Sequence, residues 1–174
     1  HRISEVDEES SLRFFSTLMD TLGSAGYEHY EISNFCRPGM YSRHNTSYWK
    51  GIPYLGCGPS AHSFNTDTRE WNISSLEDYI HSIENNHRRF ENEYLDRTTR
   101  YNECIMTSIR TKRGLSLNDL EREFGKGLWQ YCMNMVRPHL DSGKLEIRDS
   151  HLCLTRKGIF VSDSIMSDLM FIED

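Results

Sequence analysis

The stretch Tyr27–His62, YEHYEISNFCRPGMYSRHNTSYWKGIPYLGCGPSAH, carries the most informative pattern in this chain. It opens with side chains that alternate between two faces from Tyr30 to Phe35, which predicts a strand. Residues 37–39 (RPG) then predict a turn, because proline fixes φ and glycine tolerates positive φ. The region from Cys36 to Arg69 shows little periodicity but combines Tyr, Trp, His, Cys and Gly. Such a composition is typical of a long, ordered loop that approaches a ligand.

Three blocks of this stretch resemble one protein family when they are taken together. They are YEISNFCRPG at 30–39, RHNTSYW at 43–49 and YLGCGPSAHS at 54–63. In this order they resemble the oxygen-independent coproporphyrinogen oxidase-like branch of the radical SAM proteins, and within it the HemW-like heme chaperones. Residues 44–49 fill every fixed position of that family's H-N-x-x-Y-W element.

The resemblance implies a fold, cofactors and partners. The implied fold class is an α/β portion followed by a mainly α portion. Residues 1–72 would be the last αβ element of a partial (β/α) radical SAM barrel with a cofactor-proximal loop, and residues 73–174 a helical, winged-helix-like C-terminal domain. The implied cofactors are heme, S-adenosylmethionine (SAM) and a [4Fe–4S] cluster, and the implied partners are proteins that accept heme. The cluster motif C-x-x-x-C-x-x-C is absent here, so we expect its cysteines upstream, in a longer protein from which this chain is an excised part.

His44 is the candidate ligand for heme iron. Composition alone favours a loop histidine that hydrogen-bonds to the backbone and orders its turn. The resemblance implies axial ligation by the neutral imidazole instead, with Tyr48 and Trp49 against the porphyrin and Asn45 stabilising the bend. The second axial ligand stays open between Cys36 and another group, although packing accounts for Cys36 better.

Gly56, Gly58 and His62 are the candidate contacts to SAM. The Gly56-x-Gly58 pattern lacks the third glycine and the following helix of a dinucleotide fingerprint, so on its own it indicates a tight loop. By resemblance, this segment lies near the SAM pocket, where small residues let the backbone approach the nucleoside. His62 occupies the position that would touch SAM. No catalytic residue is predicted.

Composition restricts the class of protein. The 37% hydrophobic and 26% charged fractions suit a packed core with a soluble surface. A formal net charge of -6 argues against a general nucleic-acid partner, because phosphate binding requires clustered Lys and Arg. No run approaches the ~20 apolar residues of a membrane span, and five widely spaced cysteines without a secretory signal predict reduced thiols. We therefore expect a cytoplasmic protein.

Helical periodicity and turn residues predict the remaining elements. Ser4 with Asp7 predicts a capping box for a helix over 4–22. Further helices are predicted over 75–90, 98–114, 116–125, 128–140 and 156–171, with a polar connector over 91–97. Two strands, over 144–148 and 151–155, flank Asp149-Ser150.

The C-terminal order of three helices, a hairpin and a helix is a winged-helix outline, which raises two alternatives. A DNA-binding module is the alternative from another functional class. The helix over 128–140 offers only Arg137, His139, Gln130 and Asn134 to DNA, so packing against the barrel explains its large apolar residues better. Within the family, the alternative is an oxidase that decarboxylates coproporphyrinogen III with SAM.

Overall fold

A computed structural model describes residues 6–172. The described part consists of helices and short antiparallel strands, with no closed barrel. In chain order these elements are α1 (Glu8–Ser24), β1 (Glu28–Glu31), β2 (Asn34–Cys36), α2 (Arg43–Trp49), β3 (His62–Phe64), β4 (Thr68–Asn72), α3 (Leu76–Glu84), β5 (Phe90–Tyr94), α4 (Arg97–Ile109), β6 (Leu115–Ser116), α5 (Leu117–Asp141), β7 (Leu145–Arg148), β8 (His151–Leu154), α6 (Arg156–Ile159) and α7 (Ser162–Leu169).

The first helix is confirmed, with a different start. Asp7 is the N-cap of α1, and its carboxylate accepts a hydrogen bond from the Ser10 N–H at 2.8 Å. The predicted capping residue, Ser4, lies outside the described residues.

The strand predicted from Tyr30 to Phe35 is wrong, because the chain reverses within it. β1 and β2 form an antiparallel hairpin in which Glu31 pairs with Asn34. The Glu31 carboxylate accepts hydrogen bonds from the Ser33 N–H at 3.0 Å and from the Asn34 side-chain amide, which closes the turn. The Ile32 N–H donates to the Arg110 carbonyl at 3.0 Å instead of continuing the strand. A contact distant in sequence therefore fixes this turn.

The long loop predicted from Cys36 to Arg69 contains regular structure. α2 forms within it, followed by β3 and β4, and β5 completes an antiparallel sheet of order β3-β4-β5. The helix predicted over 75–90 begins as expected, since Ser75 caps α3, but it ends at Glu84. The predicted polar connector is in fact β5, whose five residues are all exposed and which pairs along the whole of β4.

The C-terminal part has the predicted winged-helix-like arrangement. β7 and β8 form the hairpin, and β6 adds a third strand in the order β6-β8-β7. The hairpin turn is at Asp149 and Ser150, which both have positive φ. The core lies between these strands and the helices α4, α5 and α7; its fully buried members include Tyr101, Ile105, Ile109, Leu152, Ile165 and Leu169.

The predicted helices in this part differ from the structure in their boundaries. The helix predicted over 98–114 is α4, which ends at Ile109. The helices predicted over 116–125 and 128–140 are continuous as α5 apart from a kink at Gly125 (φ 67°, ψ 173°), and Pro138 does not end the second one. The helix predicted over 156–171 divides into α6 and α7 at Val161, whose φ of −128° is not helical. This change of direction brings Ile165 and Leu169 into the core. Tyr101 then donates a hydrogen bond to the Leu169 carbonyl at 3.0 Å.

Side chains join the N-terminal elements to the C-terminal part at several places, including α1 and the β1–β2 hairpin. Arg156 of α6 pairs with Asp20 of α1 and also donates to the Ser16 hydroxyl. Glu31 of the hairpin, 3% exposed, accepts a hydrogen bond from Arg110 Nε at 2.6 Å. Burial raises the pKa of Glu31, but the bonds from Asn34 and Arg110 outweigh it and hold that pKa below its usual value.

Candidate functional site

The H-N-x-x-Y-W element lies on α2, a helix of seven residues, where a loop was predicted. Ser42 is its N-cap and accepts a hydrogen bond from the Asn45 N–H at 3.2 Å. Thr46 adds a bond from its hydroxyl to the Ser42 carbonyl at 2.6 Å. Asn45 is half-buried and supplies the backbone N–H that the cap binds, so it helps to order the start of the helix.

The helix separates the predicted heme residues onto two faces. Residues turn by about 100° each in an α-helix, so His44 and Tyr48 share one face and Trp49 lies on the other side with Thr46 and Lys50. The His44 and Tyr48 rings meet edge to face with centroids 4.9 Å apart. Both side chains are exposed. The structure thus brings together two of the three residues that were expected to surround a porphyrin.

His44 does not have the turn-ordering role that composition favours. Among residues 6–172 its ring nitrogens have no hydrogen-bond partner; its contact is with Tyr48. By contrast, the ring of His29 bonds to the Ile32 carbonyl and that of His139 to Asp168. The His44 imidazole is therefore accessible and free to accept a ligand or to bind a metal.

Aromatic rings continue from His44 toward the glycine-rich segment. Tyr48 contacts Tyr54 edge to face at 4.8 Å, and Tyr54 contacts Phe64 at 6.0 Å. Tyr54 and Phe64 also exchange two backbone hydrogen bonds of 2.9 Å. Burial raises the pKa of Tyr54, which keeps this phenol neutral. The rings connect α2 to the segment that carries Gly56, Gly58 and His62.

Trp49 packs in the opposite direction, toward the interior. Its ring meets the ring of Tyr30, which is 8% exposed, at 5.8 Å. Tyr41 packs against the same tyrosine at 5.3 Å. The position of Trp49 indicates that it anchors α2 to the β1–β2 hairpin.

A glycine is required at position 56, because the neighbouring backbone leaves no room for a Cβ atom. A Cβ atom at this position would lie 2.1 Å from the His62 carbonyl oxygen, so no other residue fits without displacing the backbone. Gly58 has φ +110°, which strains any other residue. His62 is exposed and lies beside Trp71, with ring centroids 5.8 Å apart.

The residue that holds this segment in place was missed in the sequence. Asn72, 2% exposed, donates from its side-chain amide to the Gly58 carbonyl at 2.9 Å and to the Gly56 carbonyl at 3.3 Å. The Tyr79 hydroxyl accepts from the Gly58 N–H at 3.1 Å. No periodicity or spacing in the sequence indicates Asn72, because its role depends on carbonyl groups that the fold brings to it.

The thiols do not form a ligand set in the described residues. All five cysteines are free; Cys36, Cys132 and Cys153 are buried and Cys57 is exposed. No group of three or more His, Cys, Asp or Glu within residues 6–172 is placed to hold a metal ion. Cys36 lies at the end of β2 as a core residue, in agreement with packing rather than ligation.

Comparisons with known proteins identify the family. The family model described as HemN C-terminal domain matches residues 95–161. The heme chaperone HemW of Mycobacterium tuberculosis H37Rv is 31% identical over 153 residues, which cover 86% of this chain and 36% of that protein. HemW of Bacillus subtilis is 24% identical over 165 residues, covering 94% of this chain and 44% of the relative.

The chain is HemW-like, with a HemN C-terminal domain over residues 95–161.

The fold agrees with this assignment. The structure reported as coproporphyrinogen III oxidase HemN of Escherichia coli, a radical SAM enzyme, superposes with a TM-score of 0.71 at 16% identity. The match covers 95% of this HemW-like chain and 42% of the HemN chain. At this identity the likeness establishes the fold, which is that of the C-terminal part of a HemN-like protein. The division into residues 1–72 and 73–174 stays a prediction.

The alternative of a DNA-binding module receives no support from the second half of α5, which would be its recognition helix. Trp129, Tyr131, Met133 and Met135 are partly buried and pack against the C-terminal core of this same chain; their packing against a barrel stays a prediction. The Tyr131 hydroxyl donates to the Met170 carbonyl at 2.7 Å. Gln130 and Asn134 bond to each other at 3.1 Å. These side chains are thus committed to packing or to one another.

Proposed function

We propose that this chain supplies the heme-binding portion of a HemW-like heme chaperone, which passes heme to acceptor proteins. In this proposal His44 is the axial ligand of the iron, and Tyr48 lies against the macrocycle. The single observation that carries it is the His44 imidazole, which is exposed, unengaged by hydrogen bonds and fixed by its edge contact with Tyr48.

The residues present could bind one face of a heme. A neutral imidazole on a helix and an adjacent aromatic ring are the ligand and the packing surface that heme proteins use. Trp49 takes no part in covering the porphyrin in this proposal, because it packs against Tyr30. A second axial ligand would come from outside this set, and heme would supply the iron chemistry while the chain supplies orientation.

We further propose that Gly56, Gly58 and His62 contact SAM in the longer protein. The hydrogen bonds from Asn72 and to Tyr79 hold the backbone of Gly56 and Gly58 in place, which supports a rigid segment whose small residues let a ligand approach closely. The [4Fe–4S] cluster would be bound by cysteines outside this sequence. The names of the relatives support a chaperone over an oxidase, since the relatives at 31% and 24% identity are named heme chaperones, whereas the coproporphyrinogen III oxidase structure, at 16% identity, supports the fold alone.

Location is also part of the proposal. Within residues 6–172 no helix combines the length and the apolar character needed to cross a bilayer. We propose a cytoplasmic chaperone.

A heme titration tests the assignment of His44. We expect His44→Ala to abolish or shift the Soret change and to weaken heme binding by about tenfold or more, as the loss of an axial ligand requires. His87→Ala is the matched control, because His87 is exposed and its ring also has no hydrogen-bond partner in the described part. Equal spectra and affinities for the two variants would remove His44 from the site. A decarboxylation assay on the complete protein separates the chaperone from the oxidase.

A further inference from the structure

A cleft of about 310 Å³ lies on the side of α2 that faces away from His44. Its walls come from Thr46 and Trp49 of α2 with Lys50 at the C-cap, from the Cys104–Ser108 side of α4 with Thr111 beyond its end, and from the segment from Arg113 into α5. His151 of β8 also lines it. The volume is at the lower end of the range of small-molecule sites, and the cleft lies where the N-terminal elements meet the C-terminal part, a common location for such sites.

The cleft contains hydrogen-bond donors without partners. Lys50 and Arg113 form no ion pair with any residue between 6 and 172, and the Trp49 indole N–H makes no hydrogen bond there. Three donors, two of them cationic, are thus available in one concave surface. Donors of this kind bind oxyanions, through charge-assisted hydrogen bonds.

The acidic residues of the cleft are already compensated. Asp119 pairs with Arg122 at 2.5 Å, and Glu123 pairs with Arg100 at 3.0 Å. Cys104 stays neutral, because burial raises the pKa of its thiol. Within the described part of the chain, Lys50 and Arg113 are therefore the cleft cations outside any ion pair, although Arg113 is near enough to Asp119 to add to the hydrogen bonds that lower the pKa of that carboxyl.

One acceptor accompanies these donors. The Nδ1 atom of His151 lies 2.8 Å from the Asp149 carbonyl and must carry the proton to bond with it, which leaves Nε2 as an acceptor. This Nε2 atom is buried and has no partner. A hydroxyl or N–H group on the ligand would satisfy it after a small adjustment of the ring.

We propose that this cleft is a second ligand site, which binds a small molecule through a carboxylate or phosphate group held by Lys50 and Arg113. The indole of Trp49 supplies a flat apolar wall beside the anionic group. The site does not depend on the heme proposal, because it uses the opposite face of α2.

Nitrogen-15 NMR of the full chain tests the site, with inorganic phosphate and succinate as separate probes. We expect saturable shifts confined to the Trp49 indole and to the amides around Lys50 and Arg113. Phosphate binding tighter than succinate assigns a phosphate ligand, and the reverse order assigns a carboxylate. Absence of saturable shifts with both probes, or shifts scattered over the surface, would overturn the proposal.

A pair of charge-matched double variants separates site binding from general charge. Lys50→Gln with Arg113→Gln should weaken the better probe at least tenfold, as the loss of two charge-assisted bonds requires. Lys126→Gln with Arg137→Gln removes the same charge from exposed positions and should change the affinity less than twofold. Equal losses in the two double variants would refute a defined site. Amide spectra of the free variants show whether each retains the native fold.

Discussion

The contact between Glu31 and Arg110 predicts an asymmetry between the two partners when either is replaced. The side chain of Glu31 is 2% exposed, whereas that of Arg110 is 36% exposed. Arg110→Met keeps the aliphatic stem but leaves the carboxylate buried without its cation. Glu31→Gln leaves a guanidinium that water can reach. We therefore expect Arg110→Met to lower the free energy of unfolding more than Glu31→Gln does.

The expected loss in the free energy of unfolding follows from the hydrogen bonds and ion pair that each replacement removes. A buried pair broken on one side costs about 3–5 kcal/mol, and the remaining bonds from Ser33 and Asn34 reduce this to about 2–3 kcal/mol for Arg110→Met. Glu31→Gln keeps one acceptor oxygen and should cost about 1–2 kcal/mol. The double variant should be less destabilised than the sum of the singles by about 1 kcal/mol or more, because it leaves no buried charge.

Urea unfolding at neutral pH, followed by circular dichroism, measures these free energies. Arg100→Met is the matched control, because Arg100 and Glu123 form an ion pair whose side chains are 40% and 48% exposed, and such pairs contribute about 0–1 kcal/mol. If Arg110→Met costs no more than Arg100→Met, or if the two single effects simply add in the double variant, the reasoning about the buried carboxylate is wrong.

Two further predictions concern stability. Gly56→Ala should destabilise the chain by about 1–3 kcal/mol in thermal unfolding, since the new Cβ meets a carbonyl oxygen at 2.1 Å; Gly23→Ala, in a helix with no atom within 4 Å of the new carbon, should be neutral or stabilising by up to about 1 kcal/mol. A lower melting temperature for both would contradict this account. Because the pKa of Glu31 is lowered in the folded state, the stability it contributes is present above its ordinary value of 4.5 and is lost as the pH falls through the folded pKa. The difference between wild type and Glu31→Gln should therefore shrink between about pH 5 and about pH 3 in urea titrations, and a constant difference would exclude Glu31 as the cause.

Elements determined by neighbouring residues could be predicted from the sequence. Ser75 and Ser116 cap the helices that follow them, as expected, and Asp149-Ser150 forms the turn of the C-terminal hairpin. Capping and turn formation depend on residues within about four positions, so the sequence contains the whole cause.

Elements that depend on distant partners could not be predicted in this way. The β1–β2 turn is completed by Arg110, and β5 is a strand because β4 pairs with it, although all of its side chains are exposed. The same limit applies to the candidate site. The H-N-x-x-Y-W element could be found in the sequence, but treating it as a loop hid the fact that His44 and Trp49 lie on different sides of a helix. Asn72 carries no spacing signal, because its role is defined only by the carbonyl groups that surround it.

The packing of α7 into the core determines how far a fragment of this kind must extend in order to fold on its own. The match to the HemN C-terminal domain model stops at residue 161, one residue before α7 begins. Ile165 and Leu169, with no exposed surface, lie beyond that border, as does the carbonyl that receives the Tyr101 hydroxyl. A polypeptide trimmed to residues 95–161 would expose its own interior to water, so the boundary of the family model is not the boundary of folding. Any shortened version meant to stand alone has to extend through Phe171, whose backbone N–H and carbonyl both bond to the side chain of Asn102.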